Sequence, residues 1–360
     1  MPTHSNLKPL NFIELLNQFI NECSRGKHLQ KNGKRLTNAS IDNYRYLRQL
    51  IWNFTIAKNF DLRLLPVNKM NKRQFMKEKN YWKKFYKKFT DYLYHDLNVY
   101  DNYVGSNIKL LRVFFNYLNE EKGINVGNFH KSFYVCKEEI PIITLLPEQL
   151  NYLIYNKEFA SNLSERLRKT KDVFVFGCTV ALRVSDIMSL KRFNLEQMNG
   201  QYYLKVISRK TETLTRIKLP DYAVAILKKY KNKYKTLFPP ISLFNLNKNI
   251  RLLIEAAGWT EPYAKTRHKR GIPVSIYKDS NKNTFRFCDL ISSHTMRRTA
   301  ITTMLCLGMP EHLVRKISGH SANSTEFFRY VALSQLYIDR EVEKVYEKLT
   351  EKVMLTTTEI

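Results

Sequence analysis

The sequence predicts a mainly α protein with a small β-hairpin, divided into two domains. Three observations carry this reading. Apolar residues recur at helical spacing through residues 11–122. The pattern breaks over 123–145, where Gly123, Gly127 and Pro141 fall. Beyond the break, strict alternation occurs at 201–219, within a segment that is otherwise helical. A chain of 360 residues suits two domains. The expected boundaries are a tail over 1–10, a helical domain over 11–122 and a linker over 123–145. A second domain over 146–349 and a tail over 350–360 complete the chain.

The elements follow in order. Phe12, Leu15, Leu16, Phe19 and Ile20 share one face of a first helix. After a polar, basic stretch from Gly26 to Arg35, Asn38 or Ser40 is a candidate cap for a second helix. That helix carries Ile41, Tyr44, Leu47, Ile51 and Phe54. Trp82, Phe85, Phe89 and Leu93 mark a third helix over about 72–94, with Lys83, Lys84, Lys87 and Lys88 largely off its apolar stripe. Ile108, Leu111, Phe114, Phe115 and Leu118 mark a fourth, over about 105–121, so the first domain reads as four helices with short connections. Pro147 and Glu148 open the second domain, since proline suits the first helical position and an acid suits the first turn. Helices are expected at 147–156 and 163–181. In the hairpin, Tyr202, Leu204 and Val206 alternate, as do Thr215, Ile217 and Leu219 after a polar turn. Further helices fit 221–234, 245–257, 294–307, 310–318 and 324–332, and 263–287 reads as loop or hairpin. A last amphipathic segment, over about 334–349, aligns Ile338, Val342, Val345 and Leu349.

Charge narrows the function. The chain holds 60 Lys+Arg against 32 Asp+Glu, a net +28. Such a balance suits a polyanionic partner, most often nucleic acid. Both halves are basic: residues 1–124 carry 22 basic and 10 acidic residues. Residues 71–94 hold eight basic and two acidic, and 263–287 hold seven and one. Lys83, Lys84, Lys87 and Lys88 in the first cluster are candidate phosphate contacts. So are Lys265, Arg267, Lys269 and Arg270 in the second. By contrast, 337–360 carry six acidic and four basic residues, which suits protein contact better than DNA contact. No apolar run reaches about 18 residues, so no membrane span is expected. The five cysteines (23, 136, 178, 288 and 306) are scattered and form no Cys-x-x-Cys pair. Neither a disulfide framework nor a zinc knuckle is signalled, and a reducing, cytoplasmic setting fits.

Several residues are ordinary singly. His294 and Arg297 lie three apart and share a helix face. Gly319-His320 ends a short helix, where glycine is a common cap. Arg183 follows an apolar helix in Thr179-Val-Ala-Leu-Arg-Val-Ser-Asp186, Lys210 lies in the hairpin turn, and Tyr330 stands near Phe327. Their order is what is specific: Arg, hairpin Lys, His-x-x-Arg, Gly-His, then Tyr.

This ordered set resembles the tyrosine recombinase, or phage integrase, family. The matching stretches are Ala181-Leu-Arg-Val-Ser-Asp-Ile-Met-Ser-Leu190, Arg209-Lys-Thr211 and Ser293-His-Thr-Met-Arg-Arg-Thr299. Ile317-Ser-Gly-His320 and Arg329-Tyr330 complete them. The resemblance implies a helical core-DNA-binding domain, a mixed α/β catalytic domain, and a terminal helix at about 334–349 exchanged between protomers. It implies duplex DNA as partner, a dimer on each site, a tetrameric synapse, nucleoid association, and neither cofactor nor metal. The implied reaction is site-specific cleavage and rejoining through a 3′-phosphotyrosyl bond to Tyr330, for integration, excision or inversion of a DNA element. Arg183 and Arg297 would hold the phosphoryl oxygens, and His294 would accept the phenol proton. Lys210 would protonate the leaving oxygen, and His320 would donate to a nonbridging oxygen. Tyr330 follows His320 by one residue more than is usual in the family, and Tyr337 is the alternative nucleophile. A non-cleaving DNA-binding regulator and a type IB topoisomerase are the competing functions.

Overall fold

A computed structural model describes residues 8–30, 32–68, 70–207, 214–321, 324–333, 339, 342–344 and 346–347. The chain divides into two compact units. One contains residues 1–140 and 266–276, the other 141–265 and 277–360.

The first unit is built on four helices: α1 (Phe12–Arg25), α2 (Asn38–Ala57), α3 (Lys72–Asp91) and α4 (Asp101–Glu120). Their ends are set by local chemistry. The Asn11 side chain accepts from the Ile13 and Glu14 amides, and Gly26 closes α1 in the left-handed region. Thr37, rather than Asn38 or Ser40, caps α2, because its side chain accepts from the Ser40 amide. Asn71 and Gln74 cap α3 reciprocally. The helix expected to reach 94 ends at Asp91 and passes into a π-helical turn over Tyr92–Asp96.

Aromatic stripes meet in this core. Trp82 packs edge-on against Phe115 at 4.9 Å and Phe85 at 5.3 Å, and Phe12 meets Phe114 at 5.2 Å. The stretch read as a linker is partly core, since Val126, Phe129 and Phe133 are buried there. It runs close against α4: a Cβ on Gly105 would lie 1.8 Å from the Cys136 carbonyl oxygen, so only glycine fits.

A hairpin of Lys265–Lys269 and Ile272–Ile276 supplies residues 266–276 of this unit. Its turn places Arg270 and Gly271 at φ 54° and 78°, the positive values a two-residue hairpin turn demands. The buried Asp101 carboxylate accepts from both turn amides, at 2.7 and 2.9 Å, and from Tyr94 Oη at 2.6 Å.

The second unit opens with α5 (Pro147–Tyr155), α6 (Lys157–Asn162), α7 (Glu165–Val180) and α8 (Val184–Ile187). The helix expected over 163–181 starts at Glu165, capped by Ser164. A three-stranded antiparallel sheet follows, Leu195–Met198, Gln201–Ile207 and Leu214–Lys218, with the longest strand central. It adds one strand to the expected hairpin. Then come α9 (Asp221–Lys229), α10 (Leu243–Ala256), α11 (Phe287–Leu290), α12 (Ser293–Cys306), α13 (Glu311–Ser318) and α14 (Thr325–Leu333).

The hub is α7. Val173, Phe174, Val175, Phe176, Cys178 and Val180 are all buried, so apolar contact surrounds the helix. Gly177 lets α12 approach, because a Cβ there would lie 2.5 Å from Met296 Sδ. This crossing brings Arg297 beside the end of α7. A small apolar cluster of Ala181, Ala300, Ile301, Leu305, Val314, Phe327 and Tyr330 ties α12, α13 and α14 to the same corner.

Candidate active site

The corner is assembled from four chain segments. Ala181 caps α7 in the left-handed region, at φ 55°, a conformation that costs an L-residue roughly 1–2 kcal/mol. The reversal makes Arg183 the extended residue that starts α8. It also turns the Ala181 carbonyl toward α12, where Arg297 Nη1 donates to it at 2.9 Å. Asp186, one turn into α8, is buried, and its charge favours the guanidinium form of Arg297.

Arg297 is 4% exposed. Burial pushes its guanidinium down to about 10, and Arg183 adds to the shift. It still carries its charge at neutral pH. His294, one turn earlier on α12, is exposed. The start of α12 is pinned by the Ser293 amide, which donates to Asn247 Oδ1 at 2.8 Å.

His320 enters from α13. Gly319 caps that helix at φ 64°, and the His320 amide returns to the Arg315 carbonyl at 3.0 Å. The ring lies between two partners. Ser318 Oγ is 2.7 Å from Nδ1, and Arg297 Nη2 is 3.2 Å from Nε2. Burial, followed by the charges of Arg297, Arg183 and Arg315, pushes this imidazole down to about 3, so the ring is neutral.

Tyr330 is the fourth arrival. It is 4% exposed, and its ring centre lies 5.9 Å from that of His320. Phe327 packs against both rings and lies under the Arg315 guanidinium at 4.2 Å. Arg297, His320 and Tyr330, separated by up to 33 positions, thus meet within one shell of contacts. Lys210 lies outside the described residues, between the paired ends Ile207 and Leu214. Tyr337 and most of 334–349 lie outside them too. Among the described residues, no group of three or more His, Cys, Asp and Glu could hold a metal ion.

The eight basic candidates divide sharply. Lys83, Lys84 and Lys87 are exposed along α3, and Lys88 sits 6.0 Å from the Phe60 ring. The others are held by protein. Lys265 covers Phe285 at 4.6 Å. Arg267 donates to Glu138 from Nε at 2.9 Å and Nη2 at 2.6 Å. Lys269 bonds Asn98 and covers Tyr100. Arg270 pairs with Asp91 and covers Tyr94 at 4.8 Å. Sequence reasoning assigned no role to Ser318 or to the Ala181 carbonyl. Ser318 stands inside the quoted Ile317-Ser-Gly-His320 stretch, but nothing in the residue order points a hydroxyl at a ring.

The model of the Phage integrase family matches residues 145–336. Solved structures share the fold at low identity. The XerH site-specific recombinase bound to palindromic difH substrate, in a post-cleavage complex, is 12% identical with a TM-score of 0.61. The match covers 93% of this chain and 96% of that one. The Tn1549 transposon integrase in complex with transposon right end DNA is 13% identical with a TM-score of 0.57, over 94% and 100%. A lambda integrase dimer bound to a COC′ core site is 13% identical with a TM-score of 0.53, over 90% and 77%. No curated protein matches the sequence. No helix among the described residues is long and apolar enough to cross a membrane.

Proposed function

Because the chain belongs to the phage integrase family, the tyrosine recombinases, we propose that it cleaves and rejoins duplex DNA at a specific site. Tyr330 is the nucleophile on this reading. Its phenolate oxygen bonds to the scissile phosphorus while the bond to the deoxyribose 5′ oxygen breaks. The products are a 3′-phosphotyrosyl link and a free 5′-OH. Attack by a second strand's 5′-OH reverses the step and releases the phenol, so the phosphodiester count is conserved.

Each remaining residue has a distinct task. Arg183 and Arg297 hold the nonbridging oxygens, whose charge grows in the transition state. The Ala181 carbonyl occupies Arg297 Nη1, which leaves Nη2 to turn toward the phosphate. A phenol with an ordinary pKa of about 10 needs a base. His294 takes its proton, and Lys210 on the hairpin protonates the leaving oxygen. His320 donates to a nonbridging oxygen. The helical first unit and the exposed α3 lysines supply backbone affinity. Two protomers bind a site and four form the synapse, with the 334–349 segment passing between neighbours. The substrate is nucleoid DNA in the cytoplasm, and the outcome is integration, excision or inversion of a DNA element.

The observation that carries this reading is the convergence of Arg297, His320 and Tyr330 on the left-handed turn at Ala181. Duplexes nicked beside candidate cleavage points, drawn from repeats flanking the gene, test it. The expected result is a DNA–protein adduct that survives denaturation. A wild-type protein that binds such a site tightly and never forms the adduct supports a binding-only regulator instead.

A further inference from the structure

We propose that Ser318 is a positioning residue for His320, fixing the ring's tautomer as well as its place. The argument is one of counting protons. Ser318 Oγ lies 2.7 Å from the Val314 carbonyl oxygen and 3.3 Å from that of Arg315. Carbonyls only accept, so the single hydroxyl proton is spent on the α13 backbone. His320 Nδ1, 2.7 Å from the same Oγ, must then be the donor. The ring is therefore the Nδ1–H tautomer. Arg297 Nη2 lies near both ring nitrogens, at 3.3 Å from Nδ1 and 3.2 Å from Nε2. Only Nε2 has a lone pair to receive it.

Ser318 is 3% exposed, so its hydroxyl is shielded from bulk water. The hydroxyl is delivered by the last turn of α13, just before the left-handed Gly319. The arrangement has a consequence for the proposed reaction, on which the kinetic part of this inference rests. In the DNA-free protein Nε2 is an acceptor that caps Arg297. A phosphate oxygen entering the site needs a donor there. The anionic phosphate offsets the burial and arginine charges that keep the free ring neutral, so His320 takes one proton from solvent at Nε2 while Nδ1–H stays on Ser318. Ser318 thus keeps the ring from turning over, and the phosphate displaces Arg297 Nη2 from Nε2 onto itself.

The full chain labelled with 15N histidine reads the tautomer directly, with the His320 signals assigned by their loss in His320→Gln. Wild type is expected to show a protonated Nδ1 and a bare Nε2. Ser318→Ala keeps the helix, since alanine is the stronger helix former. It is expected to shift the ring toward Nε2–H and to slow adduct formation about tenfold, with DNA affinity unchanged. Ser318→Thr, which retains the hydroxyl, is expected to restore both. A bare Nδ1 in wild type overturns the inference, as does an alanine variant that keeps either the wild-type tautomer or the wild-type rate. Failure of wild type to form any adduct would instead sink the recombinase reading. The tautomer in Ser318→Ala would then decide the role of Ser318 alone.

Discussion

Lys83, Lys84 and Lys87 on α3 carry the same charge as Arg297 on α12 and live in opposite surroundings. The lysines are exposed, where each charge is screened by water and salt. Arg297 is 4% exposed, donates to a fixed carbonyl and reaches a neutral imidazole. Burying a guanidinium is costly, and nothing about packing requires it. The fold accepts that cost at one corner, at a strained turn, next to a buried tyrosine. On the proposed reading the two regions divide the work. Exposed cations give affinity that many residues share, and the buried one acts on a single phosphate.

The sharpest way to break this contrast is at Tyr330. Tyr330→Phe removes one oxygen and leaves the ring that packs on His320 and Phe327. Adduct formation on a nicked site should fall by at least about 10⁴-fold, with binding in a gel-shift assay unchanged. An adduct that persists in this variant moves the nucleophile elsewhere, and Tyr337 is then the first to substitute.

The next effect belongs to Arg297 itself. Arg297→Lys keeps the charge but loses the fork, so one ammonium cannot serve both the Ala181 carbonyl and a second partner. The single-turnover rate of adduct formation should fall about 10²–10³-fold, while affinity for the uncut site changes less than about threefold. A loss that appears mainly in affinity would place Arg297 with the α3 lysines and dissolve the contrast.

These two regions were not equally legible in the sequence. The helices of the first unit carry single apolar stripes, so Trp82, Phe85 and Phe89 were identifiable as core and the lysines beside them as surface. In the second unit α7 is buried on every side from Thr170 to Cys178. Its apolar residues have no period, and the expected helix ran through the break at Leu163 and Ser164. The ordered motif singled out Arg297, His320 and Tyr330 as candidates, because residue type and order survive without coordinates. The proton bookkeeping at Ser318 did not, since it depends on which carbonyl a hydroxyl meets. Charge clusters are silent about protein partners in the same way. Arg267 and Arg270 belong to a run of seven basic residues. Their partners Glu138 and Asp91 lie 129 and 179 positions away, beyond any local pattern.

The lysine side of the comparison predicts a smaller change with a different signature. Replacing Lys83, Lys84 and Lys87 together by alanine should weaken DNA binding roughly tenfold or more at 0.15 M salt, on cognate and unrelated duplexes alike. The slope of log affinity against log salt should shrink by about 2.7, one phosphate per lysine. The cleavage rate of the bound complex should not move. A slope that stays at its wild-type value would show that α3 faces away from the DNA.

The smallest effect compares a neutral histidine in each unit. His320 is neutral because it is enclosed with arginines, and its ring is proposed to meet a phosphate. His130 is 1% exposed in the first unit, stacks on Phe115 at 5.1 Å and bonds Asn116 Oδ1 at 2.7 Å. Burial, then Arg112 and Lys131, push its imidazole down to about 4. The unfolded chain, with an ordinary value near 6.5, therefore takes up the proton first. The stability this neutral ring contributes is complete above about pH 6.5 and is lost as pH falls toward 4. Between pH 7 and 5.5 the loss should be about 1 kcal/mol, allowing for solvent screening, read as a lower urea midpoint for the DNA-free protein. His130→Gln retains an amide to bond Asn116 and cannot charge, so its midpoint should fall less over the same interval. If wild type and variant respond identically, His130 is not the titrating group. The acid sensitivity would then rest with other groups, His320 among them.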